Sequence, residues 1–136
     1  MVSYIKAKSI ILADSEKVDA YLEITDDGQF GHIITEKPDG NIIDYSDYHI
    51  APGLVDTHIH GYASHDVMDN DADGINEMAK GLLKCGVTSW LPTTLTASSD
   101  QLKAVVTTIS DNITKFGGAK IKGIHFEGPY YTEKHK

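Results

Sequence analysis

The segment Ala51-Pro52-Gly53 divides this chain into two stretches whose hydrophobic patterns obey different rules. Before it every signal is β. Residues 4–12 read as a strand, and Val18-Asp19-Ala20-Tyr21-Leu22-Glu23-Ile24 alternates apolar and polar side chains at the period of a half-buried strand. Asp26-Asp27-Gly28 and Pro38-Asp39-Gly40 are turn sequences leading into residues 29–35 and 41–45. These hairpins predict a small antiparallel sheet, or half of a sandwich.

After the break, strands and helices alternate. Residues 54–60 form a short apolar run that reads as a buried strand, and residues 61–73 a polar loop. Ile75, Met78, Ala79, Leu82 and Leu83 recur at helical spacing, with Gly86 as the stop. Residues 87–92 are a second strand. Ser98 or Ser99 can cap a helix carrying Leu102, Val105, Val106, Ile109 and Ile113, ending near Gly117-Gly118. Residues 121–127 are a third strand, ended by Gly128-Pro129. The order β-α-β-α-β predicts an α/β fold with parallel strands and right-handed crossovers. Three such strands close nothing by themselves, so residues 52–136 are expected to be the front part of a larger domain, with 1–51 as a separate β-rich one.

Composition narrows the partners. Twenty acidic residues against twelve lysines and no arginine give a net charge of −8. Nucleic acid, whose phosphates demand a basic face, is excluded as an expected partner. The absent arginines also remove the usual bidentate clamp for an anionic substrate. Cys85 is the single cysteine, which rules out an internal disulfide, and its place at a helix end reads as a small core residue. The start Met1-Val2-Ser3-Tyr4-Ile5-Lys6 has no apolar run for a signal or membrane span, so a cytoplasmic location is expected.

The chemistry concentrates at strand ends. In Pro52-Gly53-Leu54-Val55-Asp56-Thr57-His58-Ile59-His60-Gly61, the alternation of a strand puts Asp56, His58 and His60 on one face. Two imidazoles side by side at the C-terminal end of a parallel strand suit a divalent metal. A second group, Gly123-Ile124-His125-Phe126-Glu127-Gly128-Pro129, ends the third strand, with His125 and Glu127 on a shared face. Two strand spacings of roughly 4.8 Å each separate strands one and three, a gap that Glu127 and the two histidines can span with an ion between them. His125 reads as a packed residue behind the ligands. Nitrogen and oxygen donors without thiolate fit zinc, iron, manganese or cobalt.

These motifs resemble the amidohydrolase superfamily. Pro-Gly-Leu-Val-Asp-Thr-His-Ile-His-Gly looks like its first-strand motif. Together with Gly-Ile-His-Phe-Glu-Gly-Pro-Tyr, the loop Gly-Tyr-Ala-Ser-His-Asp-Val-Met-Asp and Thr88-Ser89-Trp90-Leu91-Pro92-Thr93, it is similar to the N-acetylglucosamine-6-phosphate deacetylase family over essentially all 136 residues. The resemblance implies part of a β-sandwich for residues 1–51, and the first three strands and two helices of a (β/α)8 barrel of the TIM type for 52–136. It implies hydrolysis of N-acetylglucosamine 6-phosphate to glucosamine 6-phosphate and acetate. It implies that Glu127 binds the metal and that His58 and His60 match members able to hold a second one. The catalytic acid/base, an aspartate late in the barrel, is expected beyond Lys136, together with two further metal-binding histidines. No catalytic residue is therefore expected within this chain, and the 136 residues alone are expected to be inactive and, with open edges, prone to associate. The longer enzyme is expected to be a homo-oligomer acting on a small sugar phosphate, without nucleic acid or membrane partners. Another amidohydrolase acting on a cyclic amide or amine, or a non-catalytic fragment, are the alternatives.

The remaining polar residues read as structural. His65, Asp66, Asp69 and Asp71 are expected to cap and solvate the loop after the first strand. His32 and His49 lie in the β-rich region and carry no site argument, and His135 reads as solvent-exposed.

Overall fold

The computed structural model describes residues 2–132. His135 therefore lies outside the described residues. The chain forms two compact units, Met1–Pro52 and Gly53–Lys136.

The first unit is a four-stranded sheet of β1 (Ser3–Ile11), β2 (Glu16–Ile24), β3 (Phe30–Ile34) and β4 (Asn41–Ile50), in the order β3-β2-β1-β4. The Asp26-Asp27-Gly28 turn gives the antiparallel β2–β3 pair, as predicted, and β1–β2 is antiparallel across residues 12–15, but Pro38-Asp39-Gly40 closes no hairpin, since β3 and β4 do not pair. β4 departs from the antiparallel expectation. It pairs with β1 in parallel, and it runs to Ile50 where a strand over residues 41–45 was expected. Tight turns fix the direction of their own hairpins only, and β4 returns to the far side of β1, where no local signal sets its direction. Ala7, Ile10, Ala20 and Leu22 form a small core on one face.

The second unit contains β5 (Leu54–Ile59), the short hairpin β6 (Gly61–Tyr62) and β7 (His65–Asp66), and a 3-10 turn at Val67–Asp69. It continues with α1 (Ala72–Lys84), β8 (Val87–Thr94), α2 (Ser99–Asn112), β9 (Lys120–Ile121) and β10 (His125–Phe126). β8 is the middle strand, flanked by β5 on one side and by β9 and β10 on the other, all parallel.

The helix boundaries follow their caps. The Asp71 carboxylate accepts from the Asp73 N–H at the start of α1. Ser98 and Gln101 form a reciprocal capping box on α2. Ile75, Met78, Ala79 and Leu82 of α1 and Val105 and Ile109 of α2 form one buried cluster with Trp90, whose indole N–H donates to the Ala119 carbonyl at 3.2 Å. Leu83 is exposed because it lies round α1 from the buried stripe, and Ile113 is exposed at the C-cap, past the end of α2.

Three expectations are corrected here. Leu54 and Val55 are 63% and 64% exposed, so β5 is not buried; among the described residues only β8 pairs with it. Cys85 is exposed, not in the core: it is the C-cap of α1, one step beyond the last buried turn, with its sulfur 3.4 Å from the Tyr62 hydroxyl. The third strand is broken into β9 and β10. Both strands beside β8 carry one extra residue against the stretch from Trp90 to Thr93, as the pairings Asp56–Trp90 and Ile59–Pro92 on one side, and Ile121–Trp90 and His125–Thr93 on the other, show. Proline has no N–H to give a ladder, and Gly123 lets the outer strand bend away.

Candidate metal centre

The three side chains singled out from the sequence converge at the C-terminal ends of the parallel strands. β5 delivers His58 and His60, and Glu127 follows β10, with β8 between them. The Glu127 Oε2 atom lies 2.8 Å from His58 Nε2 and 3.1 Å from His60 Nε2, and the two Nε2 atoms are 3.2 Å apart. One ligand atom from each residue thus falls within a sphere that a single ion can occupy. With bonds of about 2.1 Å, ligand atoms around one ion lie about 3.0 Å apart at right angles and about 3.4 Å apart at the tetrahedral angle. The three separations match that polyhedron, so the donor set fits a divalent cation. Side-chain exposures of 51% for His58, 31% for His60 and 36% for Glu127 leave the cluster open to solvent on one side.

Hydrogen bonds from outside the cluster orient His60 and Glu127. His60 Nδ1 lies 3.2 Å from the Thr93 carbonyl, which can only accept. His60 therefore carries its proton on Nδ1 and offers the lone pair of Nε2 to the centre. The Glu127 carboxyl is held below the ordinary carboxylate range, chiefly by its hydrogen bond with His58 and then by that with the Tyr131 hydroxyl; partial burial opposes this. Burial first, then the Glu127 carboxylate, pushes the Tyr131 phenol up. Glu127 is thus an anion across the neutral pH range.

The other candidates fall outside the cluster. The Asp56 carboxylate accepts from the His58 backbone N–H at 3.0 Å and serves the strand. His125 is half-buried, edge-on to His58 at 4.7 Å between ring centroids, behind the ligands as expected. Asp66 and Asp69 form the capping box of the 3-10 turn, and Asp71 caps α1. His49 bonds Ser9 at 2.6 Å in the first unit. Sequence reasoning missed two contributors, Tyr131 and the side chain of Thr93. Tyr131 lies four residues past Glu127, beyond Gly128-Pro129, where no strand period reaches it.

Two histidines and a glutamate gathered at the ends of parallel strands make a candidate metal centre. Comparison with known proteins makes the assignment more particular. The N-acetylglucosamine-6-phosphate deacetylase of Vibrio furnissii is 32% identical over 136 residues, 96% of this chain and 34% of that protein. The N-acetylgalactosamine-6-phosphate deacetylase of Escherichia coli O157:H7 is 40% identical over 88 residues, 64% of this chain and 23% of its own length. The crystal structure of the N-acetylglucosamine-6-phosphate deacetylase from Pasteurella multocida shares the fold, with a TM-score of 0.83 over 98% of this chain and 36% of that one at 23% identity. No family model matches. The chain is homologous to N-acetylglucosamine-6-phosphate deacetylases over most of its length and corresponds to their N-terminal part. It spans about a quarter to a third of the curated relatives it matches.

Proposed function

We propose that this chain carries one wall of the metal centre of an enzyme that hydrolyses the acetamide of N-acetylglucosamine 6-phosphate, giving glucosamine 6-phosphate and acetate. The observation that carries the reading is the convergence of His58, His60 and Glu127 within hydrogen-bonding distance of one another, on a chain whose curated relatives bear that name. In this reading Met1–Pro52 is a share of a β-sandwich and Gly53–Lys136 supplies the first units of a (β/α)8 barrel.

His58, His60 and Glu127 would hold a zinc, iron, manganese or cobalt ion. Such an ion polarises an amide carbonyl and lowers the pKa of bound water to about 7. The chain's own groups prepare that chemistry. Thr93 keeps the His60 proton on Nδ1, away from the centre. The Tyr131 hydroxyl bonds Glu127 and helps to keep it anionic, as does His58 before an ion is bound. The exposed side of His58 leaves an approach for water and substrate. The departing amine must also be protonated. The three clustered side chains are committed to the ion, so we expect no turnover from these 136 residues by themselves.

The second reading is the C4 epimer, N-acetylgalactosamine 6-phosphate, favoured by the 40% identity to a relative named for it. Acetate release from both epimers by the enzyme containing this chain separates the two. Glu127→Gln is expected to abolish release from whichever is used. Equal turnover of an unrelated cyclic amide would overturn both.

A further inference from the structure

Resting on the metal reading, we propose that the hydroxyl of Thr93 is the positioning group that sets the geometry of the His58–His60 pair. Thr93 is fully buried at the end of β8, between the strands that carry the ligands. Just before it, between Trp90 and Thr93, the register shifts on both sides of β8, where each flanking strand carries one extra residue, and Pro92 has no N–H to give a ladder there. At such a break the backbone alone does not hold β5 in place, yet His58 and His60 lie on either side of Ile59 there.

The Thr93 hydroxyl fills that role with three contacts. It accepts from the Ile59 N–H at 3.0 Å, donates to the Leu91 carbonyl at 3.2 Å, and lies 3.4 Å from His125 Nδ1. With His125 protonated on Nδ1, one donor and two acceptor positions are all used, the full capacity of a hydroxyl. One residue further, the Thr93 carbonyl takes the His60 Nδ1 proton. Thr93 therefore fixes the backbone between the two ligands and the tautomer of one of them. Thr94 is the internal contrast: it is equally buried, but its hydroxyl has no hydrogen-bond partner among the described residues.

The test uses Thr93→Val, which keeps the shape and removes the hydroxyl, with Thr93→Ser to restore it and Thr94→Val as control. Zinc affinity is measured by competition with a chromophoric chelator, and the His60 tautomer by long-range proton–nitrogen NMR of the metal-free protein. Loss of a group that orients a metal ligand weakens binding by about 10–100-fold. That loss is expected for Thr93→Val, with near-wild-type affinity in Thr93→Ser and Thr94→Val, and with a weakened His60 Nδ1–H signal in Thr93→Val alone. Unchanged affinity in a folded Thr93→Val, or equal weakening in Thr93→Ser, overturns the inference. Should Thr93→Val fail to fold, a His60 in the Nε2–H form in wild type or Thr93→Ser overturns it. Should wild type take up no zinc, the metal reading fails, and the NMR comparison alone decides whether Thr93 positions His60.

Discussion

Two glycines with nearly the same backbone conformation should respond very differently to alanine. Gly86 has φ +85° and Gly118 φ +74°, both left-handed. A Cβ on Gly86 meets nothing within 4 Å, whereas one on Gly118 would sit 2.4 Å from the Ala79 carbonyl oxygen and 2.6 Å from the Lys80 nitrogen in α1. Gly86→Ala should therefore cost only the left-handed penalty, about 1–2 kcal/mol. Gly118→Ala adds displacement of the loop from the helix. The Ala119 N–H bond to Ala79 at 2.9 Å is strained or lost, and the Trp90 bond to the Ala119 carbonyl loosens with it. At about 1 kcal/mol for each such bond, the total reaches about 3–4 kcal/mol, a large share of the 5–15 kcal/mol of an ordinary domain. Trp90 is the only tryptophan, so its fluorescence in a urea titration reports on the second unit alone. With slopes of about 1–3 kcal/mol per molar urea, Gly118→Ala should lower the midpoint by about 1–4 M and Gly86→Ala by about half as much or less. Equal midpoints for the two variants would refute the packing of the Gly118 loop against α1.

Three smaller perturbations follow the same logic. Ser98→Ala removes a reciprocal capping box from α2 and Asp71→Ala the cap of α1; each should lower stability by about 1 kcal/mol in the same titration. The Glu77 carboxyl is held below its ordinary value by its 2.8 Å bond to Lys80 and then by the charge of Lys80. The stability this gives is present above the unfolded carboxylate pKa and fades as pH falls through the lowered one. Carbon NMR of Glu77 should show Lys80→Gln returning the titration upward, and an unmoved titration would remove the pair.

Much of this molecule could be read from its residues, because the informative signals were local. The two-residue period of residues 18–24, the Gly28 turn and the Ser98–Gln101 cap each act within a few positions, and the elements appear where they predict, whereas the Gly40 turn closes no hairpin. The direction of β4 against β1 is set by a pairing some 40 residues apart in sequence, which no local pattern encodes. The break in the third strand lies against residues 90–93 of a different strand. The face of the site was legible for the same reason as the strands. His58 and His60 share a side by alternation, and Glu127 reaches them across β8. Thr93 and Tyr131 were not legible as contributors, since their roles arise from a backbone irregularity and from a loop that folds back. Cys85 and Leu54 show the converse: apolar character is no guide to burial at a helix end or on a strand with one described neighbour.

The claim that these strand ends form a metal centre is most directly tested by metal content. Wild type, His58→Ala with His60→Ala, and Glu127→Gln are loaded with zinc, desalted and analysed by mass spectrometry, with urea titration to verify folding. The account predicts bound zinc in wild type and its loss in both variants, whose midpoints stay at that of the metal-free wild type. Undiminished zinc in either folded variant would contradict it.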